Sequence, residues 1–548
     1  MTSSDGLMNH DGNLPGRALG PSGVFRQGCF GELLSSEFAA AMLIAAAALA
    51  GGWVGFIASD DQYYYSAALK WLEPAWYLPD HFGRVRNSVS LPIAGSIRLF
   101  GDHEFAVIIP SVIYYLATLV LTFLGLSRAT DRKLAFLACA LFATFPVVVT
   151  AATTASADIA ELFWAALAFW LFFYAWRGGR LGVWALLGCG AAMAMAFSGR
   201  ETVIALGIFV AGAILVGRRI ERLQLVWVVL GGLAVLALEA CYYALAGGDP
   251  MLRFSLVLHG FSASNDRPEA TAFSIDGSGA LRIHPLLDPL LLVFVRHLFG
   301  AGYWVFVIVA LLAIRSPVSA TANTRSAACD LRQLALWGGV IWFVFIAVAL
   351  HRITLLGRYY IAPTWLFMLA AAACVFTHRI ATLNSRRFWL AATCVVAANF
   401  IGIVLQNNNP RFVERELAAF AATSSEPVFT DPYTANYAAE LLHWAGIPLD
   451  RVVGSPPVAG ALYFVVPARI DTPNRLTPES MLPALQVKPE WEVVRRIEGP
   501  AAVPAFLVPM LRNAPLIPAW LRAKLTDPRG NLLVVRAVRL GSTAEKSP

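Results

Sequence analysis

Between Phe38 and Leu405 the chain carries about eleven apolar runs of roughly 17 to 25 residues, some shorter than ideal. Repeated runs of that length leave few alternatives. In water they would expose apolar surface with nothing to cover it, whereas in a bilayer each can span the hydrocarbon as a helix with its backbone hydrogen bonds closed internally. The runs are Phe38 to Ala58, Phe105 to Leu126, Leu134 to Val149, Ile159 to Trp176, Val183 to Phe197, Thr202 to Val216, Leu225 to Leu245, Leu290 to Ile314, Leu334 to Leu350, Tyr360 to Phe376 and Phe388 to Leu405. Val183 to Phe197 and Thr202 to Val216 are short enough to form a tilted or partly inserted hairpin. With 58% hydrophobic and 14% charged residues, the chain lies outside the composition of soluble domains. It is expected to be a mostly α, polytopic membrane protein.

Residues 1–37 are rich in Gly, Ser, Asn and Pro and carry Arg17 and Arg26, which suits a disordered cytoplasmic tail ending at a signal anchor. The Ala-rich stretch Ala45 to Ala50 leaves a cleaved signal as the alternative. With the N-terminus inside, alternate loops become cytoplasmic. They hold Arg128, Arg132 and Lys133; Arg177 and Arg180; Arg218, Arg219 and Arg222; Arg315, Arg325 and Arg332; Arg379, Arg386 and Arg387. The positive-inside rule is met at each. The net charge of +7 thus has a membrane explanation, and no basic tract or zinc-ligand spacing points to nucleic acid. The seven cysteines have no paired short spacing and are read as packing residues.

Three outer segments remain: Ser59 to Glu104, Ala246 to Asp288, and everything after Leu405. Residues 406–548 alternate short apolar runs with Pro-rich turns, namely Pro427 to Thr430, a helical pattern through Tyr433 to Ala445, Ala461 to Val466, Glu492 to Ile497 and Leu532 to Val538. The pattern predicts a small α/β domain on the outer, periplasmic side of a 38–405 transmembrane domain. No Gly-rich loop joins Thr430 to Tyr433, so nothing there calls for a nucleotide. No internal repeat supports the inverted halves of many transporters.

Chemistry concentrates on the outer face. Ser59-Asp60-Asp61-Gln62-Tyr63-Tyr64-Tyr65 places two carboxylates where the first run leaves the bilayer, either as reacting groups or as an interfacial cap. Arg84, Arg86, Arg200, Arg352 and Arg358 sit where the positive-inside rule discourages them, and guanidinium groups grip phosphate oxygens in bidentate fashion. Neutralising a nearby carboxylate or an anionic lipid is the simpler role for any single one. Asp158 emerges on the same face with Glu161 one helical turn on, as an N-cap or as a functional acid. Arg296 and His297 lie about two turns inside the outer boundary, with Glu239 at similar depth. Arg296 is expected to pair with Glu239 or reach a lipid phosphate, unless Leu290 to Phe299 is interfacial and the span begins near Gly300. Carboxylates beside arginines at a membrane surface suit sugar transfer from a polyprenyl phosphate. The leaving group is a stable anion that needs electrostatic stabilisation, and the acceptor hydroxyl needs a base. In-line displacement would invert the anomeric centre.

Asp60-Asp61 with Tyr63 to Tyr65 and Ala67-Ala68, His81-Phe82-Gly83-Arg84, Leu91-Pro92, Arg98-Leu99-Phe100-Gly101, Phe105-Ala106 and Pro110-Ser111 resemble the first outer loop of GT-C glycosyltransferases. The nearest branch is the one holding the aminoarabinose transferases of lipid A and the protein O-mannosyltransferases. Ala157-Asp158, Ser198-Gly199-Arg200-Glu201 and Gly357-Arg358-Tyr359-Tyr360 with Pro363 resemble later landmarks, so the similarity covers most of Phe38 to Leu405. It implies a GT-C helical bundle with outer interfacial helices, in a bacterial inner membrane. It also implies metal-independent transfer, without cofactor, from a polyprenyl monophosphate sugar to an envelope glycan or glycolipid. Asp60 would be the base, with Asp61 and Asp158 as further catalytic carboxylates. Arg84, Arg86, Arg200, Arg358 and Arg296 would hold the donor phosphate, and Tyr64, His81, Glu201 and Tyr359 would line the substrates. The chain departs from the aminoarabinose branch in lacking its first-loop Lys-Pro-Pro run, having Val85-Arg86-Asn87-Ser88 instead, and in having Arg200 where lysine is usual. A transporter or lipid flippase, and a ligase using a lipid diphosphate donor, are the competing functions.

Overall fold

The computed structural model describes residues 29–179, 182–217, 219–265, 322–349, 357–377, 386–471 and 476–538. The expected run Leu290 to Ile314 with Arg296 and His297, and also Arg352, lie outside these residues.

Among the described residues, seven helices are long and apolar enough to cross a membrane, and eight if the pair Arg132–Ala143 and Pro146–Ala152, bent by 71°, counts as one. Ser36–Gly51 and Glu201–Val216 are apolar but shorter. Every expected run that falls wholly on described residues therefore coincides with an apolar helix or bent pair, but the count of eleven is not reached within them. Gly182–Gly199 is an 18-residue helix, long enough by length and composition to cross, whereas Glu201–Val216 is shorter. Packing is centred on Tyr115, Phe123, Phe142, Phe169, Trp342 and Trp365, all fully buried. By contrast, only 11% of the apolar window in Arg222–Leu245 is buried. A helix apolar on its open faces requires lipid, not water, around it.

Two breaks in this bundle shape the site. Pro146 has no N–H for Phe142, so the helix stops at Ala143 and restarts; the Tyr115 hydroxyl then donates to the Ala143 carbonyl at 2.9 Å. The first helix ends at Gly51 rather than continuing to Ala58. At 1.5 Å per residue its 16 residues reach only about 24 Å, short of a ~30 Å hydrocarbon layer. The chain continues as irregular backbone from Gly52 to Ser59, tolerable at that depth because protein surrounds it: Val54, Phe56 and Ala58 are buried. The Gly52 carbonyl accepts from Asn407 Nδ2 at 2.7 Å and Thr153 Oγ1 at 3.2 Å.

Close helix approach depends on two glycines. A Cβ on Gly190 would lie 1.8 Å from the Val228 carbonyl oxygen, and one on Gly231 would lie 1.9 Å from that of Leu187. Each contact is backbone against backbone, so no side chain can yield. Gly231→Ala is expected to lower unfolding stability by about 1–3 kcal/mol, as overpacking does, read as a lower melting temperature in detergent; an unchanged melting temperature would contradict this packing.

Among segments expected on one side, Arg177 and Arg219 both bond Asp330, and Arg132 bonds Glu32. The Asp60–Leu72 and Asn87–Phe100 helices, together with the C-terminal region, are linked by side-chain contacts described below.

That region holds a five-stranded sheet of β1 (Val428–Thr430), β2 (Val452–Gly454), β3 (Leu462–Val465), β4 (Glu492–Ile497) and β5 (Leu532–Arg536), in the order β2-β1-β3-β5-β4. The first three strands are parallel and the β3–β5 and β5–β4 pairs antiparallel. Four of the five match the expected runs; β2 lies where no run was expected. Between β1 and β2 lies the helix Pro432–Trp444, whose N-terminus is capped by Asp431 accepting from Thr434 N.

Candidate active site

Asp60 and Asp61 open the same helix and do different things. Asp61 is 1% exposed, and its two oxygens accept backbone N–H groups from Ile57 at 2.6 Å and Ser59 at 2.5 Å. It pins the preceding loop. Burial pushes its carboxyl up to about 6, against the two backbone bonds and Arg411, which favour the anion. The neighbouring Asp60 is half-exposed and accepts from Arg358 Nη2 at 2.6 Å. The backbone between them and the loop is held in an uncommon conformation, Ala58 having φ 51°. Such strain persists only where surrounding contacts over-determine it.

Arg358 also reaches Asp158, Nε to Oδ2 at 3.6 Å, and Asp158 bonds Arg200 through its other oxygen. Asp158, 5% exposed, is therefore clasped by two guanidinium groups. Tyr359 lies under Arg200, whose guanidinium carbon is 3.9 Å from the ring centroid, and 6.0 Å from that of Arg358. Arg86 donates to Glu201 at 2.7 Å and to the Gly199 carbonyl at 2.9 Å. Burial opposes its charge, Glu201, Tyr64 and Asp60 together outweigh this, and the net effect is to hold the guanidinium's pKa up. Tyr64 sits within the electrostatic reach of Asp60, Arg86, Arg200 and Arg358, its hydroxyl pushed up mainly by burial. Glu161 accepts from Thr202. Five separate segments thus converge: the first loop, the Asn87 helix start, the Ala157 helix start, the Gly199–Glu201 turn and the Gly357–Tyr360 turn.

Among the expected site residues, Asp60, Asp158, Arg86, Arg200, Glu201, Arg358, Tyr64 and Tyr359 come together. Arg84 does not join them. It is held by Asp80 at 2.8 Å and by Ser66 at 3.2 Å, about two turns along the helix from Asp60. His81 stacks on Tyr63 with centroids 4.3 Å apart, one turn from Asp60.

Sequence reasoning missed Arg253. It is 2% exposed and takes the partner expected for Arg296: Glu239, bonded by Nε and Nη2, both at 2.6 Å. The same carboxylate accepts from Asn87 Nδ2 at 2.5 Å and Tyr243 OH at 2.9 Å, while Arg253 donates to the Val85 carbonyl. Val85 and Asn87 flank Arg86, so this buried group fixes the Arg86 backbone from both sides. Arg253 falls in the segment Ala246 to Asp288 expected on the outer face, so the signal that singled out the arginines above could have found it.

The helical membrane fold that carries this cluster is shared with solved structures. A profile of the dolichyl-phosphate-mannose-protein mannosyltransferase family matches residues 89–243. Crystal structures of ArnT from Cupriavidus metallidurans are similar to the chain in two states. The one bound to undecaprenyl phosphate has TM-score 0.50 and 14% identity, covering 84% of this chain and 95% of that one. The apo state has TM-score 0.50 and 13% identity with the same coverage. The archaeal oligosaccharyltransferase AglB from Archaeoglobus fulgidus, solved with an inhibitory peptide and a dolichol-phosphate, has TM-score 0.47 and 11% identity over 74% of this chain and 63% of that one. No curated protein sequence matches.

Proposed function

We propose that the chain is an integral-membrane glycosyltransferase that moves a sugar from a polyprenyl monophosphate to an envelope glycan or glycolipid at the outer face of a bacterial inner membrane. The C-terminal domain would then be periplasmic. The observation that carries this reading is the half-exposed Asp60 carboxylate bonded to Arg358 at the rim of a cluster holding Arg86 and Arg200. ArnT, which shares the fold, was crystallised with undecaprenyl phosphate, and that lends support to a polyprenyl phosphate ligand here.

Asp60 takes the proton of the acceptor hydroxyl while that oxygen attacks the anomeric carbon. The bond from that carbon to the phosphate oxygen breaks, the polyprenyl phosphate leaves as an anion, and the configuration inverts. Arg358 bonds the Asp60 carboxylate. A donor phosphate competes for that guanidinium, so donor binding loosens the pair and leaves the carboxylate a better base. Asp158, fully engaged by Arg200 and Arg358, orients the two cations, and Asp61 holds the loop.

Arg358→Ala is expected to raise the donor KM about ten- to a hundred-fold, the loss of one charge-assisted contact of roughly 1.5–3 kcal/mol, with a smaller effect on acceptor KM. An unchanged donor KM would remove Arg358 from the phosphate site. Offering the protein monophosphate and diphosphate donors of the same sugar tests the reaction class: turnover with the diphosphate alone would make it a ligase instead.

A further inference from the structure

We propose that the C-terminal domain is a positioning element for the transfer reaction, fixing through Glu104 and Asp102 the loop and helix that present Asp60. This rests on the reading of Asp60 as the base. Two carboxylates flank the start of the Glu104–Ala129 helix, and each is shared between the loop side and the C-terminal domain. Glu104 Oε1 accepts the Phe56 backbone N–H at 2.8 Å and is gripped by Arg415, Nη2 to Oε1 at 2.6 Å and Nη1 to Oε2 at 3.2 Å. Gly55 makes this closure possible: it has φ +86°, and a Cβ there would lie 2.2 Å from Glu104 Oε1 and 2.9 Å from Arg415 Nη2. Asp102 accepts from Tyr65 OH at 2.9 and 2.8 Å, from Trp444 Nε1 at 3.0 Å, and meets His443 Nε2 at 3.0 Å.

A third bridge joins Gln62 Nε2 to Glu440 Oε1 at 2.9 Å. The Trp444 ring stands edge-on to Phe56 and Tyr65, with centroids 5.1 and 5.3 Å away, and packs against the apolar clusters of both parts. Phe56, Gln62 and Tyr65 bracket Asp60 in sequence. The C-terminal domain therefore grips the reacting segment on both sides of the carboxylate without contributing a group to the chemistry. Since a misplacement of about 1 Å can cost about a hundred-fold in rate, and Ala58 holds a strained φ next to the grip, these contacts set turnover rather than substrate affinity.

The test uses the full chain in lipid nanodiscs, with Arg415→Gln, Glu104→Ala and Glu104→Gln. Arg415 is 40% exposed at its side chain, so its replacement leaves the core of the C-terminal domain intact. Backbone hydrogen exchange at residues 52–62 is expected to speed up about ten-fold in Arg415→Gln and Glu104→Ala, with the remaining helices as protected as in wild type. Turnover is expected to fall about ten-fold or more while donor and acceptor KM stay within about two-fold. Glu104→Gln keeps an acceptor for Phe56 N–H and should retain more turnover than Glu104→Ala. Unchanged exchange at 52–62 overturns the proposal, and so does faster exchange with undiminished turnover. The exchange readout does not depend on Asp60 being the base, so a failure of that assignment shows separately, as an active Asp60→Asn protein.

Discussion

Transfer in the Asp60→Asn variant is expected to fall by about a hundred- to ten-thousand-fold, the range that a positioned general base contributes, while insertion and melting temperature stay at wild-type values. Asparagine matches aspartate in shape, and its amide oxygen can still accept from Arg358, which now bonds Asp60 at 2.6 Å. It cannot take a proton from the acceptor hydroxyl. The adjacent carboxylate provides the control. In Asp61→Asn one of the two backbone donors, Ile57 N or Ser59 N, would face an amide NH2 instead of an oxygen, so that variant should lose melting temperature as well as activity. Initial rates in membranes containing the native lipid-linked donor, paired with melting curves, separate the two. Wild-type rates in Asp60→Asn would remove the base from this position.

Asp158→Ala is expected to cost about 3–5 kcal/mol of stability, because it leaves the buried Arg200 without its carboxylate, while Arg358 keeps Asp60, and uncompensated buried charge is costly. The sign of a second substitution makes this specific. If the loss comes from the stranded Arg200, Arg200→Met in the same chain should recover part of the melting temperature, although neither variant should transfer sugar well. A melting temperature unchanged by Asp158→Ala would mean that Arg200 finds another partner.

Much of the bundle was legible because membrane-length apolar runs have one use, and the run lengths alone located the helices from Phe105 to Phe376 that fall on described residues. Four of the five β-strands of the C-terminal region were legible because Pro-rich turns separate their apolar runs, and β2 was not. The end of the first helix was not: hydropathy continues through Trp53, Val54 and Phe56, and the backbone turns irregular at Gly52 because Asn407 and Thr153 satisfy its carbonyl from other segments. The gathering of Arg86, Arg200 and Arg358 followed from their expected placement on one face of the bundle. Their partners did not, since pairing depends on helix rotation and on contacts as far apart in sequence as Arg358 and Asp60. The same limit hid Arg253 as a partner of Glu239 and gave Arg84 a place in the cluster, although Asp80 lies four residues away from Arg84. Adjacent aspartates in one string cannot reveal that one faces the loop and the other the cleft. The grip of Arg415 and Trp444 on the first loop spans more than three hundred residues, and no local pattern encodes it.

The most direct test of the central claim is mass spectrometry of envelope glycolipids and glycans from cells carrying wild-type protein, Asp60→Asn, or no protein. The prediction is one sugar modification present in the first and missing from both others, which would identify sugar and acceptor together. A modification lost only when the whole protein is absent would contradict Asp60 as base, and identical profiles in all three would contradict sugar transfer itself.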